Sequence, residues 1–157
     1  MQTIIGILVA VVIAERVGVS GAVATVEAVR DWYPTLEKPW FTPPNWLFGP
    51  AWTTLYAMMG VAAYLVWRHG WEQGAVKAAL VAYGVQLALN ALWSPVFFGL
   101  RAPGPGLVVI VALWIAIAVT IVWFGRVSTI AAWLMVPYLA WVTYATALNF
   151  EIWRLNP

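Results

Sequence analysis

Four stretches of this chain carry no formal charge: Trp46 to Trp67, Ala78 to Leu100, Ala102 to Gly125, and Val127 to Phe150. Each matches the roughly 20 apolar residues that a helix needs to cross a bilayer. Arg68, Lys77, Arg101, Arg126 and Arg154 mark their ends. The connections between them are short, so successive helices run antiparallel. A fifth run, at the N-terminus, is broken. Ile4 to Ala14 is apolar, Glu15 and Arg16 interrupt, and Val17 to Val26 resumes. Ala22-Val23-Ala24 resembles a signal-peptide cleavage site, but no basic segment precedes the run and two charges sit inside it. It reads as a retained helix. The two charges either face the bundle interior or lie near the membrane edge in a tilted helix. Adjacent positions on a helix point about 100° apart, so Glu15 and Arg16 pair poorly with each other.

The pattern predicts an all-α integral membrane protein, one domain over residues 1–157. Its five transmembrane helices fall at about 3–26, 46–67, 76–99, 105–125 and 128–153. The termini then lie on opposite sides. Lys and Arg divide almost evenly between the sides; the orientation adopted places the 27–45 connector and the C-terminus in the cytoplasm.

That connector leads into the stretch that organises the chain, WYPTLEKPWFTPPNWLFGPAWTTLY from Trp32 to Tyr56. Pro39, Pro43 and Pro44 lack a backbone donor and push the preceding residues toward extended geometry. The prediction from Asp31 to about Asn45 is an ordered, non-helical crossing. Pro50 falls early enough in the next helix to be tolerated. Pro and Trp at this density suggest a lid over a cavity between helices, with Trp32 and Trp40 among its walls. The plainer reading is an interfacial aromatic belt.

Composition sharpens the class. The chain is 64% hydrophobic and 9% charged, where a soluble domain is about 25% charged. The net charge of +2 is too small a bias to imply a nucleic-acid partner. Cysteine is absent and His69 is the single histidine. That removes disulfides and thiolate nucleophiles and leaves almost no transition-metal site. No GxGxxG, Walker, HExxH or Ser/His/Asp pattern occurs. Only the first span holds ionisable residues at depth, which argues against an ion-coupled transporter or a channel.

Three helix faces mix aromatic rings with hydrogen-bonding groups. Gln86, Asn90, Trp93 and Phe97 fall at i, i+4, i+7 and i+11 on the third predicted helix. Tyr138, Trp141, Ala145 and Asn149 make a similar stripe on the fifth, and Trp52, Tyr56, Met59 and Gly60 on the second. Either these faces glue helices together or they wall a cavity for a flat, mostly apolar ligand. Gly84, Ala88 and Ala91, on the opposite face of the third helix, allow close approach of a neighbouring helix or a second protomer.

The segments KPWFTPPNWLFGPAWTTLY at 38–56, QLALNALWSPVFFG at 86–99 and PYLAWVTYATALNFEIWRLN at 137–156, with WY at 32–33, resemble the translocator protein family (TspO/MBR, the tryptophan-rich sensory proteins). Their order and spacing cover nearly the whole chain. The resemblance implies a five-helix bundle, usually a homodimer, in a bacterial membrane, inner or outer. It implies a pocket under the first connector that binds protoporphyrin IX or another tetrapyrrole, sterols and benzodiazepine-type drugs, with no required cofactor and no metal. By that resemblance Trp52 and Trp141 face the ligand. Asn90, Ala145 and Leu148 are pocket positions, as are Leu47 and Gly49. Val23 and Val26 line the pocket from the first helix. The expected role is a porphyrin sensor, carrier or regulator. The alternative is light- and oxygen-dependent porphyrin degradation at Trp52 and Trp141. Two departures stand out. Phe41 replaces the tryptophan usual two residues before the paired prolines. Phe150 replaces the tyrosine of the proposed cholesterol-recognition pattern, itself a weak signal.

Overall fold

A computed structural model describes residues 2–23 and 25–157, without the side chains of residues 22 and 23. Among the described residues the chain is helical with no strand. Five helices have 20 residues or more: α1 (Gln2–Val23), α3 (Phe48–Trp67), α4 (Gly74–Ser94), α5 (Pro103–Gly125) and α6 (Thr129–Leu155). A sixth, α2 (Val26–Asp31), is short. Among the described residues four helices are long and apolar enough to cross a membrane: Gln2–Gly21, Gly74–Gly99, Pro103–Gly125 and Thr129–Leu155. The second predicted span, α3, reaches the length, but its tryptophans, tyrosines, threonines, glycines and proline dilute its hydropathy.

The long helices close into a ring. α1 packs on α3, α3 on α6, α6 on α5, α5 on α4, and α4 back on α1. Glycine sets the α1–α3 spacing. A Cβ added at Gly60 would sit 2.5 Å from the Val11 Cα, so the two backbones touch there. Nearly two turns along α1 from Val11, Gly18 receives the ring of Tyr56, where a Cβ would come within 2.2 Å of Tyr56 Cε2. Small residues allow this intimacy in an apolar solvent that provides no hydrophobic drive between helices. Met59, Val66, Ile117, Phe124 and Met135 fill the centre, and Tyr83 stacks on Phe124 at 5.8 Å. Outward faces stay apolar, with Ile5, Leu8, Val85, Val108 and Trp133 exposed. That is the surface lipid requires.

Proline shapes the other ends. Pro95 has no N–H for the α4 ladder, and the chain widens into a π turn over Pro95–Gly99. The Leu100 N–H reaches back five residues to the Pro95 carbonyl at 2.9 Å. Arg101 then takes a positive φ of 51°, and Pro103 and Pro105 open α5. At α6 the Ser128 side chain caps the helix by accepting from the Ala131 N–H at 3.3 Å.

The connector keeps the predicted crossing free of α-helix beyond Asp31, but it differs ahead of that crossing. Its first part is helical, as α2, and Tyr33–Thr35 and Asn45–Leu47 form short 3₁₀ turns. Glu27 in the first turn of α2 and Arg30 in the last complement its dipole. Extended backbone is confined to the stretch around the prolines, as at Leu36 and Pro44.

Candidate functional site

Beneath the connector the ring leaves a cavity of about 370 Å³. This falls within the range of small-molecule pockets. Every long helix contributes to its wall, and eight of the lining residues are aromatic. Trp52 stacks on Tyr56 with centroids 5.5 Å apart, and Trp93 stacks on Phe97 at 5.1 Å. Trp52 also meets Trp141 edge-on at 6.4 Å, and Phe48 meets Trp141 at 6.0 Å. Ala145, one turn beyond Trp141, leaves the space beside that indole open.

Amides tie the aromatic wall together. Tyr56 donates its hydroxyl to Asn90 Oδ1. Asn90 Nδ2 donates to the Tyr138 hydroxyl at 2.7 Å, so one side chain joins α3, α4 and α6. Asn149 does the same higher up: its Oδ1 accepts from Trp93 Nε1 at 3.1 Å and its Nδ2 donates to the Pro103 carbonyl at 2.7 Å. Two buried groups have no partner among the described residues. One is the amide of Gln86, fully buried beyond the cavity; the other is the Trp141 indole N–H, in the wall itself. Glu15 is the one carboxylate lining the cavity.

The connector is fastened as a lid would be. Asn156, past the end of α6, accepts from the Glu37 N–H at 3.0 Å and donates to the Glu37 carbonyl at 2.9 Å. The Tyr144 hydroxyl donates to the Phe41 carbonyl at 2.7 Å. Lys38 Nζ donates to the Tyr33 and Leu36 carbonyls at 2.8 and 2.9 Å and lies 4.9 Å from the centre of the Tyr33 ring. Burial of the Tyr33 phenol, with a smaller contribution from Tyr144, pushes its pKa up to about 12.

Of the residues singled out in the sequence, Gly49, Trp52, Tyr56, Asn90, Trp93, Phe97, Trp141, Ala145 and Leu148 all line this cavity. Others lie elsewhere. Trp32 packs edge-on against Phe97 at 5.8 Å without reaching the cavity, and its neighbour Tyr33 lines it instead. Trp40 is 96% exposed, while Phe41 turns in toward Tyr144 at 6.2 Å. Leu47 faces an outer groove between α3 and α6, and Phe48 takes the inner place. Val26 is exposed, and Val29, one turn on, lines the wall. Tyr138 and Gln86 lie on the right stripes but deeper than the cavity floor. The Val23 side chain lies outside the described residues. Gly84 and Ala88 point outward with nothing packed against Gly84, whereas the Ala91 carbonyl lies 4.0 Å from where a Gly21 Cβ would be, against α1. α5 contributes Ile110 and Leu113, which no stripe could flag in a helix apolar all round. No metal-binding cluster of His, Cys, Asp and Glu occurs among the described residues.

Residues 8–154 match the model of the TspO/MBR family. A tryptophan-rich protein TspO of Archaeoglobus fulgidus is 50% identical over 141 residues, 89% of this chain and 90% of the relative. Protein CrtK of Rhodobacter capsulatus is 43% identical over 88% of this chain and 86% of the relative. The human translocator protein is 46% identical over 80% and 75%. The chain belongs to the TspO/MBR family, and with its apolar helices it is an integral, multi-pass membrane protein.

Proposed function

We propose that this TspO/MBR family member is a membrane receptor for flat, largely apolar ligands, held in the cavity under the connector and used for sensing or carriage. Tetrapyrroles such as protoporphyrin IX head the class; sterols and benzodiazepine-type compounds extend it. The observation that carries the reading is the Trp141 indole N–H, buried in the cavity wall without an acceptor among the described residues. In a membrane interior an unsatisfied donor costs free energy. An oxygen or nitrogen on a bound ligand would relieve that cost while the Trp52, Tyr56 and Trp93 faces hold its rings. α3 is read as the fifth span: its 20 residues rise about 30 Å. The outward Gly84 and Ala88 are read as part of a homodimer face. No cofactor enters this scheme.

The test is titration of detergent-purified protein with protoporphyrin IX, in the dark and then in light, following tryptophan fluorescence and the porphyrin absorbance bands. The expected result is saturable, near-stoichiometric quenching, intact bands under light, and weaker binding in Trp141→Phe. Absence of quenching removes the tetrapyrrole. Bands that decay in light only while Trp52 and Trp141 are present replace the receptor with a photochemical enzyme.

A further inference from the structure

A membrane receptor of this kind needs no charge in its pocket, yet this one has a carboxylate. Glu15 lies eight residues before the end of α1 at Val23, about 12 Å down the helix. It lines the cavity and is half-buried. Among the described residues its carboxylate makes neither a hydrogen bond nor an ion pair, the one salt bridge being Arg154 with Glu151. Arg16 is exposed on a different side of α1. Among the described residues no Lys, Arg or His lines the cavity, so no cation there offsets the charge. Of the cavity-lining amides, Asn90 and Asn149 have committed both ends of their side chains, and Asn45 makes no hydrogen bond to Glu15.

An ionised carboxylate only accepts hydrogen bonds. An unpaired one in an apolar wall is costly, and the partner that cancels the cost must bring a positive charge or polarised N–H groups. The neighbouring surface suits such a partner. Gly18, one turn from Glu15, holds the Tyr56 ring against α1, and Tyr56 stacks on Trp52. Aromatic faces attract cations beside them. We propose that Glu15 tunes this cavity toward flat aromatic ligands that carry a cationic or N–H-rich nitrogen on the α1 side, and against ligands that bring carboxylates there. This rests on the cavity being a ligand site. It adds a charge preference that the aromatic wall alone does not impose.

The test compares the full chain in a neutral detergent with Glu15→Gln and Glu15→Asp, by tryptophan quenching. Four probes are used: 9-aminoacridine, a planar cation; acridine-9-carboxylate, an anion on the same rings; protoporphyrin IX; and its uncharged dimethyl ester. The wild-type chain should prefer the cation to the anion by about tenfold or more, the scale of one charge-assisted hydrogen bond. Glu15→Gln should erase that preference, Glu15→Asp should keep most of it, and the ester should bind all three within about twofold. A chain that takes the ester but shows no cation preference, or keeps it in Glu15→Gln, overturns this proposal alone. A chain that takes none of the four overturns the receptor reading with it.

Discussion

Replacing Asn156 by Ala should loosen the connector without touching the cavity wall. The Asn156 side chain makes two hydrogen bonds to the backbone of Glu37 and is itself held by a bond from Nδ2 to the Ile152 carbonyl at 2.8 Å. A hydrogen bond contributes about 0.5–1.5 kcal/mol net, and exposed ones sit at the low end. Losing two therefore shifts the closed connector toward detachment by about 1–2 kcal/mol, or roughly 5- to 30-fold in population. The Glu37 amide reports this directly, because it donates to Asn156 Oδ1. Hydrogen exchange of the peptide containing Glu37 should accelerate by that factor, and protoporphyrin IX should associate and leave faster. Asn156→Asp keeps the acceptor and loses the donor, so it should fall between. The Tyr144 bond to Phe41 persists in both, which keeps the connector from leaving altogether. Exchange at Glu37 within about twofold of wild type in Asn156→Ala would refute the idea that this residue latches the connector.

Three further outcomes follow from the packing. Gly60→Ala places a methyl against the α1 backbone and should cost about 1–3 kcal/mol as overpacking. Gly84→Ala meets nothing within the protomer and should gain the monomer up to about 1 kcal/mol in helix propensity; thermal unfolding in detergent compares them, and equal stabilities would deny the α1–α3 contact. Gln86→Leu removes two buried polar atoms that have no partner and should leave stability unchanged or raise it by about 1 kcal/mol; a clear loss would mean that the amide is bonded to ordered water. Alkaline titration of Tyr33, read as the ultraviolet difference from Tyr33→Phe, should centre near 12, against 10.0 for an ordinary phenol. The folded value is raised and the unfolded one is not. Tyr33 therefore supports the fold fully below pH 10, and that support is lost as pH rises from 10 toward 12.

Much of this was legible in the sequence, and several of the misses share a cause. Uncharged runs announce helices because lipid tolerates no unpaired backbone. Within a regular helix the 3.6-residue period then brings Asn90, Trp93 and Phe97, or Trp141 and Ala145, to one cavity. The period fails where the helix does. At Trp32/Tyr33, Trp40/Phe41 and Leu47/Phe48 the inward residue is the next one along the chain. Each pair sits in or beside a turn or extended segment, where a single dihedral change swaps which neighbour faces in. The short α2 was missed for another reason. Its cues were local: Glu27 early and Arg30 late, on a six-residue segment too short to show an apolar stripe. Depth was illegible as well. A stripe names a face, yet Gln86 and Tyr138 lie past the point where packing closes the cavity.

Polarity inside the bundle separates scaffold from site. Lipid offers no hydrogen bonds, so each polar group in the wall must find a partner or stand at a cost. Tyr56, Asn90, Tyr138, Trp93 and Asn149 have found theirs in one another and in the Pro103 carbonyl. They hold α3, α4, α5 and α6 in register and leave nothing for a ligand. The Trp141 N–H and the Glu15 carboxylate have not, and both face the same space from opposite helices of the ring. A donor on α6 and an acceptor on α1, with stacked rings between them, amount to a polarity for whatever lies there: an acceptor toward Trp141 and a donor toward Glu15. If the cavity were merely a packing defect, these two groups would have no reason to stay unpaired in its wall while the Asn90 and Asn149 amides are spent on the scaffold. Removing either should then leave the fold standing and change only what the cavity prefers.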